Sequence, residues 1–401
     1  MRKILCVLLI VALLISCCGC RLIDELQNIL QPEIVEEEWE DAAAVDPVTA
    51  EEIHRNYYRQ FERLNEQQQY IYRVLYAAAN QMIEGWFRLD VNSKNNSRDI
   101  ALAFQALSND HPEMFWLPYN YLLRKTNSAT QFAFSYQKNG RDYDYLISAE
   151  ERDGMCRALE KKAAEILAEC PEDPFKAEVY LHDRLCKIIT YDDHSDNSMV
   201  YTAYGALVEG KAVCEGYARA MQYLCQRSGI PCTLVIGEYG GEGHMWNLIQ
   251  LDDEWYHLDI TWDDSDDISR YYFFNLTDKE IMQDHTISPL AENVDTAALK
   301  IGKNNLFKPT CTTTRFNYYV YYDLLVTRKD PTHIAKRIAE AQRHGKSELQ
   351  FRFTDKAYLR AFKEDAQSAV DPIQKALSKL HAADAVNNIM TVDNYVTFLW
   401  K

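Results

Sequence analysis

The chain has 401 residues, 47% of them hydrophobic and 26% charged, so it carries enough apolar mass to bury a core and is neither a disordered polymer nor a low-complexity repeat. A formal charge of −17, from 60 acidic against 43 basic side chains, argues against nucleic acid as a main partner, and no basic run exceeds two residues. The length allows two or three domains.

Arg2 and Lys3 precede an apolar stretch from Ile4 to Ile15, too short to span a bilayer, which needs about 20 residues, and built in the charge order of a secretory signal. Residues 1–16 therefore read as a signal peptide. Leu14-Ile15-Ser16-Cys17 resembles a bacterial lipobox, whose cysteine becomes the lipidated first residue of the mature protein. That resemblance makes Cys17 the anchor and places the protein on the cell membrane, facing away from the cytoplasm and touching the bilayer only through its lipid. An uncleaved hydrophobic anchor and a cleaved secretory peptide are the alternatives. Residues 17–46 hold Glu33, Glu36, Glu37, Glu38, Glu40 and Asp41 without helical or strand period, and self-repulsion makes them an acidic tether.

An N-terminal α+β module is expected over 47–150. Thr49 and Glu52 read as a capping box opening a long helix with Ile53, Tyr57, Phe61, Leu64, Ile71, Leu75, Ala78 and Met82 on one stripe, broken near Asn65. A short strand at 86–91, a helix at 98–107 and a hairpin of 131–137 with 141–147 around Asn139-Gly140 follow. Residues 151–300 are expected to form a catalytic domain. It starts with helices at 149–169 and 174–189, separated by Pro171 and Pro174. A helix from Cys214 to Arg227 stops at Gly229 and Pro231, and strands at 232–238, 244–251 and 255–260 complete it. Residues 301–401 read as a C-terminal α+β module: strand 315–327, helix 331–344, strand 348–353, a helix 355–380 broken near Pro372, and strand 389–399.

Seven cysteines lie beyond the signal region, too few and too irregular for a disulfide scaffold or a zinc-finger pattern, though Cys225 and Cys232 are placed to pair outside the cytoplasm. His182, His194, His257 and His285 show no metal-ligand spacing and read as surface or packing positions. Asp263, Asp264, Asp266 and Asp267 lack the EF-hand spacing and read as a solvated loop, and 110–116 reads as a turn with an aromatic anchor.

Chemistry concentrates in Val213-Cys214-Glu215-Gly216-Tyr217, His244-Met245-Trp246-Asn247 and Trp255 to Asp263. A cysteine nucleophile needs a base to take its proton and a third group to hold that base in one tautomer. Cys214, His244 and Asp259 supply these roles. Cys214 opens a predicted helix, where unpaired N–H groups favour a thiolate and can receive an oxyanion. If Asp252 and Asp253 form a two-residue turn, His244 lies opposite Thr261 with Asp259 its diagonal neighbour on the same face, a gap of about 7–8 Å that two side chains can bridge. Slipping the register by one residue would put them on opposite faces. Gly216 signals the close approach of another backbone, and Trp246, Trp255 and Trp262 an aromatic wall.

At these residues, over roughly 175–265, the sequence resembles the transglutaminase-like superfamily. The resemblance implies a papain-like core in an α+β fold, a nucleophile helix packed on an antiparallel sheet. Carried over residue by residue, it implies Cys214 as nucleophile, His244 as general acid/base and Asp259 as the carboxylate that orients it, with 201–213 resembling the stretch that precedes the nucleophile. No upstream residue matches a side-chain oxyanion donor, which leaves the backbone N–H of Cys214. The expected activity is a surface-anchored cysteine hydrolase or acyltransferase working on amide bonds of a peptide or protein, cell-wall-associated ones included, through a thioester. Protease or deamidase chemistry is favoured over cross-linking, and no cofactor or metal is required. The alternative is a silent module that keeps the fold and binds peptide or cell-wall ligands.

Overall fold

A computed structural model describes residues 42–49, 60–91, 96–125, 129–138, 141–194, 196–264, 271–293 and 302–400. The expected signal peptide, the anchor at Cys17, the Thr49–Glu52 capping box and the Asn139-Gly140 turn lie outside or across the edges of these residues. No helix among the described residues is long and apolar enough to cross a membrane. The chain divides into two compact units, one of Met1–Thr261 with Asp278–Cys311 and the other of Trp262–Thr277 with Thr312–Lys401. The expected 47–150 and 151–300 stretches thus share one unit, and the break expected at 300 falls at 311, with 262–277 joining the C-terminal unit.

In the first unit, helix α1 (Glu66–Gln81) starts at the expected break: Asn65 is its N-cap and completes a capping box with Gln68. Strand β1 (Phe87–Leu89), helix α2 (Ser97–Asp110), β2 (Asn120–Lys125), β3 (Thr130–Lys138) and β4 (Arg141–Tyr143) form one antiparallel sheet beside two helices. The strand β2 was missed in the sequence because its buried side chains do not alternate cleanly. Ala43, within the stretch expected as a tether, exchanges backbone hydrogen bonds with Trp86 and Arg88 on either side of Phe87. Phe87, Phe104, Phe132 and Phe134 pack ring against ring on this sheet at centroid separations of 5.1–6.2 Å.

Helices α3 (Ala149–Leu167) and α4 (Pro174–Ile188) lead to a two-stranded parallel pair, β5 (Thr190–Tyr191) and β6 (Lys211–Ala212), which delivers the chain to helix α5 (Cys214–Ser228). Gly229 ends α5 in the left-handed region at φ 76°, as its sequence position requires. Strands β7 (Cys232–Tyr239), β8 (Glu242–Leu251), β9 (Glu254–Leu258) and the edge strand β10 (His285–Ile287) order as β10-β7-β8-β9. Helix α5 packs on this antiparallel sheet, with Ala218 clustered against Leu234, Ile236 and Met245 and its carbonyl accepting from Asn247 Nδ2 at 2.9 Å. This is the α+β arrangement the sequence implied.

Nearly every side chain of α5 is buried, polar ones included. Three of those polar side chains donate to the end of α2, whose last carbonyls have no partner within their own helix. Arg219 donates to Ser108 O at 2.6 Å, Gln222 to Asn109 O at 2.7 Å and Gln226 to Asp110 O at 3.0 Å. Asp110 itself is buried and accepts the N–H groups of Gln60 and Phe61. Burial pushes its carboxyl up to about 7, against the opposing pull of His111 and those two N–H groups. A folded carboxyl that keeps its proton longer than the unfolded one contributes stability below about 4, and that contribution is lost as pH rises to about 7. Urea unfolding should therefore show stability falling over this window through Asp110, and Asp110→Asn should flatten the fall; an unchanged slope in the variant would contradict the assignment.

The second unit departs from the expected elements in four places. The expected strand at 315–327 is a short helix, Tyr318–Tyr321, capped by Asn317 and followed by β11 (Leu325–Val326). Helix α6 (Pro331–Arg343) and strand β12 (Glu348–Phe353) stand where expected. The expected 355–380 helix breaks at Asp365 rather than at Pro372. Asp365 ends α7 (Lys356–Glu364) and caps α8 (Ala366–Lys379) by accepting from Ser368 N, while Pro372 sits inside α8. The last strand is a hairpin, β13 (Asn388–Val392) with β14 (Tyr395–Leu399), turned at Asp393 with φ 48°. The acidic run is not simply a solvated loop either, because Asp263 is buried and accepts Phe273 N–H at 2.9 Å; Asp266 and Asp267 lie outside the described residues.

Candidate active site

Cys214 is the first residue of α5, behind an extended Val213 that supplies no side-chain cap. The first intrahelical donor is Tyr217, bonded to Val213 O at 3.1 Å, so the N–H groups of Cys214, Glu215 and Gly216 have no partner within the helix. Gly216 is there because nothing larger fits: a Cβ at that position would stand 2.3 Å from Val200 O and 2.8 Å from the Ala212 Cβ. The close backbone approach read from this glycine is the Ser198–Tyr201 turn, which also accepts the Val213 N–H at Val200 O.

The β8–β9 turn decides whether His244 and Asp259 meet. Asp252 and Asp253 both take positive φ, 47° and 64°, which gives a two-residue turn of the type that matches strand twist. Leu251 then pairs with Glu254 and Asn247 with Leu258, the expected register. The ladder stops there, and Thr261 sits in a helical turn rather than opposite His244. Asp259 nevertheless reaches back, and the His244 Nε2 to Asp259 Oδ2 distance is 2.6 Å. The Cys214 thiol lies near enough to the His244 ring to help raise its pKa. With Nε2 engaged by the carboxylate, Nδ1 is the nitrogen left for sulfur. Cys214 and Asp259 are almost fully enclosed and the His244 side chain is 6% exposed.

Residues 160–260 match the family model of the transglutaminase-like superfamily. This segment belongs to that superfamily. The transglutaminase-like core has distant structural neighbours: a candidate cysteine protease from Cytophaga hutchinsonii (14% identity, 40% of this chain and 54% of the other, TM-score 0.25), a TGase (13%, 56% and 60%, TM-score 0.27) and the periplasmic domain of TgpA from Pseudomonas aeruginosa (16%, 33% and 53%, TM-score 0.22). The chain spans little more than half the length of each of these. No curated protein matches it.

Electrostatics in the transglutaminase-like core oppose desolvation with pairing. Burial pulls the His244 imidazolium down, but the charge and hydrogen bond of Asp259, followed by Cys214, outweigh it and raise His244 to about 10. Burial pushes the Asp259 carboxyl up, and His244 with His285 overcomes this and holds it well below the usual carboxylate range. Next to the sulfur, Glu215 is buried and pairs with Arg219 at 2.8 Å; burial raises its carboxyl despite that cation.

Of the three tryptophans, Trp246 alone stacks on His244 in these contacts, with centroids 5.7 Å apart and planes at 20°. Trp255 packs edge-on against Phe307, and Trp262 lies in the other unit, 42% exposed. Two histidines read as packing or surface residues belong to the site. His285 Nε2 stands 3.0 Å from Asp259 Oδ2, and His257 accepts from Trp246 Nε1 at 2.9 Å while its Nε2 faces Asp278 at 2.9 Å. The His285 contact has no sequence signal, since it joins Asp259 to a strand 26 residues further along the chain, and Asp278 reaches His257 from a helix 21 residues away. His194 is exposed as expected, and His182 is buried beside Asp183.

His244, Asp259 and His285 bring three ligand-type atoms within 4.8 Å of one another, as do His257, Asp278 and Cys311. In both clusters the imidazole atoms that a cation would need already face carboxylates. In the second, His257 Nδ1 accepts from the indole, so its Nε2 carries the proton directed at Asp278. Cys225 and Cys232 are free and buried, with their thiols in hydrogen-bond contact rather than joined.

Proposed function

We propose that this protein is a cysteine hydrolase or acyltransferase acting on peptide or protein amides through a thioester, held at the cell surface by a lipid on Cys17. The observation that carries the reading is the continuous contact from the Cys214 thiol to His244 and, at 2.6 Å, to Asp259, with the sulfur at a helix N-terminus. The thiol proton passes to His244 Nδ1 and the sulfur attacks the carbonyl carbon. The carbonyl electron pair moves to oxygen, which is received by the Cys214 N–H. His244, now carrying the proton it took from the thiol, gives it to the leaving amine as the C–N bond breaks. The thioester is then attacked by water, deprotonated by His244, releasing the acid and restoring the thiol. An amine in place of water gives cross-linking. Asp259 keeps the Nε2 proton on the side away from sulfur, so that Nδ1 is the working nitrogen.

A folded but silent binding module makes the opposite prediction for the thiol. Incubating the protein with mixed surface proteins and cell-wall peptides, then searching by mass spectrometry for cleavage, deamidation or isopeptides, tests for turnover. Cys214→Ala should remove every such product while leaving thermal stability nearly unchanged. Activity that survives this substitution would end the proposal.

A further inference from the structure

His285 has no role in the chemistry above, yet it is held more tightly than packing requires. It enters from the edge strand β10, where it pairs with Tyr239 of β7. Its side chain is fully buried, with the Trp246 ring edge-on at 5.0 Å and the Tyr239 ring at 4.9 Å. Nδ1 stands 2.8 Å from Asp284 Oδ1 and Nε2 stands 3.0 Å from Asp259 Oδ2. The titratable groups placed against it are Asp259, Asp284, Tyr239, His244 at 5.6 Å between rings, and His257.

The Asp259 carboxylate therefore takes three donors. Thr261 N–H binds Oδ1 at 3.1 Å, while His285 Nε2 and His244 Nε2 share Oδ2. A carboxylate bonded only to His244 could rotate about its terminal torsion, which is soft for Asp. Two fixed donors on its two oxygens remove that freedom. Gly237 makes the arrangement sterically accessible, since a Cβ there would fall 2.6 Å from the Trp246 ring that backs His285.

We propose that His285 is a positioning residue, whose Nε2–H fixes the Asp259 carboxylate in the orientation that presents Oδ2 to His244. This rests on the reading of Cys214 as the nucleophile. In this role His285 acts through Asp259. Its Nδ1 contact with Asp284 keeps the ring from turning, so the donor on Nε2 stays aimed.

The test needs no substrate. Carbamidomethylation of Cys214 by iodoacetamide, followed by peptide mass spectrometry, is measured on the full folded chain for wild type, His244→Ala, His285→Leu, His285→Gln and His285→Asn. The Leu variant should label about tenfold more slowly near pH 6.5, the order expected when the outer hydrogen-bond partner of a working group is lost. Gln places an N–H near the position of Nε2 and should label within about threefold of wild type, whereas Asn, which reaches only the Nδ1 position, should label like Leu. If the Leu variant does not fold, the Gln-to-Asn ratio carries the same comparison. The positioning role is overturned if Leu labels at the wild-type rate, or if Asn labels as fast as Gln. Failure of the enzymatic reading looks different: wild-type Cys214 would then label no faster than an unstructured thiol and would be insensitive to His244→Ala.

Discussion

Asp259→Asn should lower the acyl-transfer rate by about 10⁴-fold, the loss seen when the third group of such a triad is made neutral and the histidine adopts the wrong tautomer. The reason is local. An amide that turns its NH2 toward His244 forces Nε2 to accept, which moves the ring proton to Nδ1 and leaves nothing to take the proton of Cys214. The carboxylate prevents this because, with its charge held by His244 and His285, it can only accept. The same substitution changes the response of stability to pH. His244 is raised in the fold from 6.5 to about 10, so the stability that its protonation contributes is fully present below about 6.5 and is lost as pH rises through about 10. Urea unfolding of the wild type should show that decline between these limits, and Asp259→Asn should lack most of it. A rate loss under tenfold would mean that His244 is oriented by something else.

Arg219→Met should destabilise the protein by about 3–5 kcal/mol, the usual cost of stripping the partner from a buried ion pair. Glu215 would be left 3% exposed with no cation beside it, one residue from the nucleophile. The substitution also removes the guanidinium from the C-terminal end of α2, where Ser108 O and Ser108 Oγ lose their donors. Glu215→Gln in the Arg219→Met background should recover part of the loss, because it is the uncompensated carboxylate that dominates. Chemical denaturation of the two single variants and the double variant measures this, and a single-variant loss below about 1 kcal/mol would show that Arg219 and Glu215 are effectively solvated.

Helix α5 and the hairpin beside it are readable from the chain because their determinants are local. Gly229 and Pro231 stop α5, and the Asp252-Asp253 turn sets the pairing of β8 with β9, so His244 and Asp259 could be placed on one face from spacing alone. Gly216 announced its neighbour because a missing side chain in a helix needs a reason. The misreadings share a cause too. Asp365 and Pro372 both look like helix breakers, and only the cap that Asp365 makes with Ser368 shows which one ends the helix. The hairpin at Asp393 was hidden because its turn is Asp393-Asn394, without the Gly that marks the commonest two-residue turns.

Sequence by itself determined the helix that Cys214 opens and the hairpin that carries His244 toward Asp259, since these rest on short-range periodicity, capping and turn chemistry. Tertiary structure alone decided that α5 turns its polar side chains toward the end of α2 rather than toward water. It also brought His285 across an edge strand to Asp259. Those contacts join residues 26 to 116 positions apart, and at such separations no local pattern distinguishes a buried, satisfied polar group from an exposed one.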